Sequence, residues 1–257
     1  MKQNPVYLRE TGKWGNPNPF YQQISRYSPF AILGGIILGA CGGSINPALF
    51  AGNDDMAAVA CFVCLPGFLI TAVTLYAQVM APALTAPTIS LERSAGTWDI
   101  LRTTPLSLNA IFMAKLFGAL SRLRIWPVLF ALTLLQGGIM ACSVMLLGGD
   151  SAWWGGVLGL ATTLRPWLEI LFAAFIGMYA STLASSATMA LVAAYSAVVL
   201  VKIFNSGGLW LAVALLAELE ETLTLLLPII GPIVIYMLLI TAVWLGLYQQ
   251  AKKLRTE

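Results

Sequence analysis

Long stretches of this 257-residue chain contain no charged side chain. The longest of these stretches are 27–53, 56–91, 125–149, 170–201 and 222–251, and most of their residues are apolar. Charged residues make up 10% of the chain, against about 25% in soluble domains. Because a helix needs about 20 apolar residues to cross a bilayer, this pattern predicts an all-α polytopic membrane protein.

The apolar blocks divide into six predicted transmembrane helices within a single transmembrane domain, 1–257. Residues 1–29 are interpreted as a cytoplasmic lead-in that ends in an aromatic, interfacial segment. Residues 205–222 are apolar and then acidic, which favours an external re-entrant or interfacial segment before the sixth span. Residues 249–257 form a cytoplasmic tail. The six spans are 30–50, 56–81, 125–147, 167–185, 187–204 and 223–248.

The distribution of cations predicts the orientation of the chain. If both termini are cytoplasmic, 12 of the 14 lysines and arginines fall on the cytoplasmic side. Arg165 and Lys202 are then the external cations. The external loops also collect six acidic residues, which are Asp54, Asp55, Asp150, Glu218, Glu220 and Glu221. The polar region at 88–124 is therefore predicted to be cytoplasmic.

This polar region, between the second and third spans, has the character of a structured element. Thr97 is a candidate N-cap for a short helix that would carry Trp98 and Leu101, and Pro105 would end or redirect it. The following residues, 106–124, mix apolar side chains with cations, as in a helix that enters the membrane from a charged interface. The region is a candidate docking surface for another subunit.

Small residues at every fourth position define two predicted packing faces. This spacing allows two helices to approach closely, either within one chain or between two subunits. The residues are Gly35, Gly39 and Gly43 in the first span and Gly177, Ser181 and Ser185 in the fourth.

The sequence offers little for a metal site or an active site. It contains no histidine, and its four cysteines all lie in apolar blocks. Cys61 and Cys64 form a CxxC without a second pair, so we interpret them as packing residues and predict no metal site. No catalytic residues are identified, and no basic face remains for nucleic acid.

Glu169 is the acidic residue best placed to enter a span, where an unpaired charge would cost on the order of 3 kcal/mol. Arg165 lies four residues earlier on the same helical face and is its predicted local partner. A contact with a transported substrate is the alternative that the sequence leaves open.

The string LERSAGTWDILRTTPLSLNAIFMAKL at residues 91–116 resembles the loop between the second and third spans in type-2 permeases of ATP-binding-cassette exporters. The match begins with an acid and a base, continues through Gly-Thr and Thr-Pro-Leu-Ser, and ends at a lysine. The matching positions are Glu92, Arg93, Gly96, Thr97, Asp99, Ile100, Leu101, Thr104, Pro105, Leu106, Ser107 and Lys115.

The resemblance implies that 88–124 is a cytoplasmic coupling region containing a coupling helix, received by a separate ATPase subunit. Glu92 and Arg93 would anchor the end of the second span, while Trp98 and Leu101 would be docking side chains. The implied coupling residues are Glu92, Arg93, Gly96, Thr97, Trp98, Asp99, Leu101, Thr104, Pro105 and Lys115.

The same resemblance implies how the work is divided between subunits. The chain lacks a GxxxxGK[ST] phosphate-binding loop, so ATP and Mg²⁺ would be bound by the partner ATPase and no cofactor by this chain. A second permease, identical or paralogous, would complete a multi-pass exporter in a bacterial-type plasma membrane. The apolar, hydroxyl and aromatic side chains of the spans suit a hydrophobic or amphipathic cargo, but they are equally normal for helix packing. Two alternatives stay open: a non-transporting subunit that anchors a larger complex, and an intramembrane enzyme.

Overall fold

The computed structural model describes residues 5–10, 23, 26–27, 54–98, 106–145, 152–205 and 221–256. All regular structure in these residues is helical. The predictions for the first span at 30–50, including Gly35, Gly39 and Gly43, and for the segment at 206–220 lie outside the described residues. The helices are α1 (Pro5–Glu10), α2 (Asp54–Thr85), α3 (Pro87–Ser94), α4 (Leu108–Ser121), α5 (Trp126–Met145), α6 (Ala152–Leu183), α7 (Ala187–Ile203) and α8 (Glu221–Thr256).

Several of these helices are long and apolar enough to cross a membrane. Pro66–Ser94, Trp153–Leu183 and Leu227–Gln250 each meet this criterion. Leu108–Ser121 and Trp126–Cys142 add a fourth candidate if they are counted together as one bent span, and Ala187–Ile203 is apolar but shorter. By length and composition, the described chain therefore suits a membrane.

Two helix ends differ from the predicted span ends. The helix that contains the fourth span begins at Ala152 rather than near 167, and it accommodates Pro166 in its interior. The helix that contains the second span extends beyond residue 81, because α2 continues to Thr85 and α3 follows after the single residue Ala86. Pro87 is tolerated at the start of α3, where its missing N–H group would have no helical partner. The beginning of the polar region is therefore helical.

Two compact units divide the chain. The first contains Met1–Ser25, Gln78–Leu123 and Leu168–Glu257, and the second contains Arg26–Ala77 and Arg124–Trp167. In the second unit α5 packs antiparallel to the first half of α6, because positions 137 and 141 of α5 meet positions 163 and 159 of α6. A methyl group added at Gly159 would lie 2.6 Å from the carbonyl oxygen of Gly137.

In the first unit, α2 and α3 pack parallel to the second half of α6. The contacts advance along both helices in the same direction. They pair Gln78 with Glu169, Pro82 with Gly177 and Ser90 with Ser181.

α8 also packs parallel to α6 in this unit. Phe172 stacks against Tyr236 and Phe175 against Trp244, each pair with ring centroids 5.7 Å apart. α7 returns antiparallel after a short turn, in which Ser186 caps the helix by accepting the N–H of Met189 at 3.3 Å. α1 packs on α4.

Candidate functional site

Three residues of the motif at 91–116 meet in one buried cluster, which we call the turn cluster: Glu92, Thr97 and Lys115. The ammonium of Lys115 donates to Glu92 Oε1 at 2.9 Å and to the carbonyl oxygen of Thr88 at 3.4 Å. The hydroxyl of Thr97 donates to the other carboxylate oxygen, Glu92 Oε2, at 2.9 Å. Both oxygens of the carboxylate are therefore bonded.

Burial makes this ion pair important to the local structure. Lys115 is fully buried, at 0% exposure, and Glu92 is 7% exposed. Removing one member of a buried pair leaves the other charge uncompensated, which costs about 3–5 kcal/mol. The pair thus holds the end of α3 against α4.

The residues between Glu92 and Thr97 form the exposed turn, which consists of Arg93, Ser94, Ala95 and Gly96. Gly96 has a φ of 68°, a left-handed conformation that favours glycine. Its N–H donates to the carbonyl oxygen of Arg93 at 3.1 Å, so the chain reverses sharply after α3. The turn cluster lies beneath this turn and fixes its position at the surface.

Two further contacts fix the exposed turn to the end of α6. Arg93 Nη1 donates to the carbonyl oxygen of Thr182 at 3.3 Å, in the last turn of α6, where the helix dipole favours a cation. Ser181 Oγ accepts the backbone N–H groups of Ile89 and Ser90 at 3.0 and 2.9 Å. The end of α3 is therefore bonded both to the middle of α4 and to the end of α6.

The predicted packing face of the fourth span is only partly formed. Gly177 lies against Thr85 and Pro82, where a methyl group would contact Thr85 Oγ1 and approach Pro82 Cα to 3.1 Å. Ser181 is fully buried. Ser185 departs from the prediction: α6 ends at Leu183, so Ser185 lies in the following turn and is exposed.

Trp98 also departs from its predicted role as a docking side chain. Its ring is 5% exposed and stacks on Phe112 of α4, with centroids 6.1 Å apart. Its indole nitrogen is buried without a hydrogen-bond partner among the described residues. In this conformation Trp98 packs beneath the exposed turn. Asp99, Leu101, Thr104 and Pro105 lie outside the described residues, so their predicted roles stay predictions.

A second polar cluster lies away from the motif, near the middle of the candidate spans of α2 and α6; we call it the midspan cluster. It consists of Gln78, Glu169 and Lys202. Lys202 Nζ donates to Glu169 Oε2 at 2.6 Å, and Gln78 Nε2 donates to the same oxygen at 2.7 Å. The side chain of Glu169 is 4% exposed, whereas that of Lys202 is 39% exposed.

The sequence indicates Glu169 as an acidic residue placed to enter a span but does not indicate Gln78 and Lys202 as its hydrogen-bond donors. Its predicted pairing with Arg165 stays a prediction. Lys202 could have been found from the predicted hairpin, because Glu169 and Lys202 lie at similar distances before and after its turn. Gln78 could not, because its contact depends on the register between α2 and α6.

Comparison with protein-family models gives no match. The same is true of comparisons with curated proteins and with solved structures. Within the described parts of the chain, no group of three or more His, Cys, Asp or Glu side chains is placed to hold a metal ion. The case for a function therefore depends on the motif and on the geometry of the two clusters.

Proposed function

We propose that this chain is the membrane-spanning permease subunit of an ATP-binding-cassette exporter, coupled to a separate ATPase subunit. The observation that carries the proposal is the turn cluster. Glu92, Thr97 and Lys115 belong to the motif that resembles the permease family. Thr97 and Lys115 both bond to Glu92, although Lys115 lies 23 positions after it. The motif thus corresponds to a physical unit that supports an exposed turn.

The geometry supports a coupling role because the turn is rigidly connected to three helices. A force on Arg93–Gly96 would reach α4 through Lys115 and α6 through the carbonyl oxygen of Thr182. These bonds would move the helix ends together rather than bend the turn. In this proposal the exposed turn contacts the ATPase, while Trp98 acts as packing beneath it.

Helix directions within the first unit support the predicted topology. Relative to the second half of α6, the helices α2 and α8 run parallel and α7 runs antiparallel. Spans two, four, five and six would have these directions if successive spans alternate. With 30–50 as the first of six spans, both termini would lie on one side, which the cation distribution assigns to the cytoplasm.

The complete exporter in this proposal contains two permeases and two ATPase subunits in a plasma membrane of bacterial type. ATP and Mg²⁺ are bound by the ATPase subunits. Movement of these subunits acts on the exposed turns, and the spans rock to open the pathway to one side and then the other.

The proposal is tested by ATP hydrolysis in lipid nanodiscs that contain this chain and its co-expressed candidate ATPase. We expect the wild-type chain to stimulate hydrolysis. Arg93→Glu reverses the charge of the exposed turn, and we expect it to reduce stimulation by about tenfold. Lys253→Glu changes an exposed cation of the tail by the same charge and serves as the control.

Two results would contradict the proposal. The first is that no ATPase co-purifies with the wild-type chain. The second is that an ATPase binds but its hydrolysis rate is the same with the wild-type chain, Arg93→Glu and no permease. That second result would favour the non-transporting membrane subunit.

A further inference from the structure

The midspan cluster contains a charged group that is only half enclosed. Glu169 is closed off, and its Oε2 atom accepts hydrogen bonds from both Gln78 and Lys202. Lys202 is open, with 39% of its side chain exposed. Charged side chains within membrane spans are costly, and they almost always face the interior of the bundle, a water-filled cavity or a partner. The open side of Lys202 is therefore available to water or to a ligand.

Unused hydrogen-bonding groups on Lys202 and on its near neighbour in sequence, Asn205, indicate the chemistry of a ligand. An ammonium has three N–H groups, and the bond to Glu169 uses one of them. Asn205 lies three positions after Lys202 in the chain, just beyond the end of α7. Its side chain is buried, and neither its amide nitrogen nor its amide oxygen has a partner among the described residues. A cation would be repelled by Lys202, whereas an anionic oxygen would accept from it.

Exposed apolar side chains neighbour this cation on α7. Val199, one turn before Lys202, is 54% exposed, and Ile203 next to it is 64% exposed. An anion that binds Lys202 would thus have exposed apolar surface beside it. This combination suits a molecule with an anionic headgroup and an acyl or alkyl chain.

We propose that Lys202, together with Asn205, forms a binding site for the phosphate or carboxylate headgroup of an amphipathic anion, and that Glu169 competes with this headgroup for the ammonium. As a cargo site, it rests on the proposed export function; as a binding site, it does not. Gln78 keeps Glu169 bonded when the ammonium turns to the ligand.

The test measures binding of radiolabelled dodecyl phosphate to the full chain in neutral phosphatidylcholine nanodiscs. We expect saturable binding to the wild type, competed by dodecanoate but not by dodecyltrimethylammonium. Lys202→Gln should weaken binding by about tenfold, the effect of losing one charge-assisted hydrogen bond. Lys202→Arg should retain binding, and Lys253→Gln, in the tail, should leave it unchanged.

Glu169→Gln separates a ligand site from a purely structural pair. It removes the competitor for Lys202, so we expect binding to strengthen, although the pair is broken. If Glu169→Gln and Lys202→Gln weaken binding equally, the pair is structural and the proposal is wrong. Equal binding by wild type and Lys202→Gln, or equal competition by dodecyltrimethylammonium, would also overturn it. Glu169→Gln and Lys202→Arg keep the test valid if Lys202→Gln does not fold.

A second arm distinguishes the source of the anion. Phosphatidic acid is added to the nanodiscs before dodecyl phosphate. If it displaces the probe, the site takes bilayer lipids; if it does not, the site takes single-chain molecules from solution. Either result supports an anion site. Because the assay contains no ATPase, its failure would leave the proposed function standing.

Discussion

Two Glu–Lys pairs in the first unit have the same chemistry but different surroundings. In the turn cluster Lys115 is completely buried, and both oxygens of Glu92 are bonded. In the midspan cluster the carboxylate of Glu169 is buried, but the side chain of Lys202 is 39% exposed. The first pair is closed on all sides, and the second is open at its cation.

The difference suggests two roles for one type of ion pair. A closed pair has no N–H group that a ligand could reach. Its contribution is therefore to fix the positions of the helices that carry it. An open pair keeps N–H groups available for a ligand. We therefore interpret the turn cluster as the support of a docking turn and the midspan cluster as a binding site.

The largest expected effect comes from breaking the closed pair. Lys115→Met keeps an unbranched side chain that is one heavy atom shorter, but it leaves the buried carboxylate of Glu92 without its cation. We expect a loss of about 3–5 kcal/mol in the free energy of unfolding, measured by thermal or denaturant unfolding in detergent. Lys202→Met should cost less, because Glu169 keeps its bond to Gln78 and Lys202 is partly exposed.

The double variant Lys115→Met with Glu92→Gln provides the control for this comparison. It removes both charges, so it should recover much of the stability lost in Lys115→Met. If Lys115→Met and Lys202→Met are equally destabilising, the distinction between a closed and an open pair fails.

A smaller effect is expected from the contact of α6 with α2, which lies between the two clusters. Gly177→Ala places a methyl group against Thr85 and Pro82, and the overpacking should cost about 2 kcal/mol. Gly138→Ala is the matched control, because nothing lies within 4 Å of its added methyl group. Hydrogen exchange should rise near both clusters in Gly177→Ala. A rise in hydrogen exchange near only one cluster would show that the other cluster does not depend on this contact.

The smallest effect concerns the hydroxyl group that completes the turn cluster. Thr97→Val removes the hydrogen bond to Glu92 Oε2 and should cost about 1.5 kcal/mol in unfolding free energy. Ser94→Ala, in the exposed turn, removes a hydroxyl that bonds only to the backbone oxygen of Leu91, and it should change stability by less than about 0.5 kcal/mol. Equal effects would mean that the bond from Thr97 does not support the cluster.

The sequence predicted the helical character of the chain because long uncharged blocks leave few alternatives in a bilayer. The motif at 91–116 that resembles the permease family also contains Glu92, Thr97 and Lys115, the three residues of the turn cluster. The sequence did not predict that Trp98 would be buried, since an aromatic side chain after a turn can face inwards or outwards. It also missed Gln78, because side-chain partners 91 positions apart depend on helix register, which a single sequence does not contain.

Cross-linking from the exposed turn tests most directly whether this turn contacts the ATPase. Ser94→Cys is introduced into a chain whose four native cysteines are replaced, and it is treated with a cysteine-reactive cross-linker in membranes that contain the co-expressed ATPase. Met237→Cys, on an exposed apolar part of α8, is the control. We expect an adduct with the ATPase from position 94 and none from position 237. The coupling role would be contradicted if the ATPase is present but forms no adduct with position 94. Equal adducts at positions 94 and 237 would also contradict it.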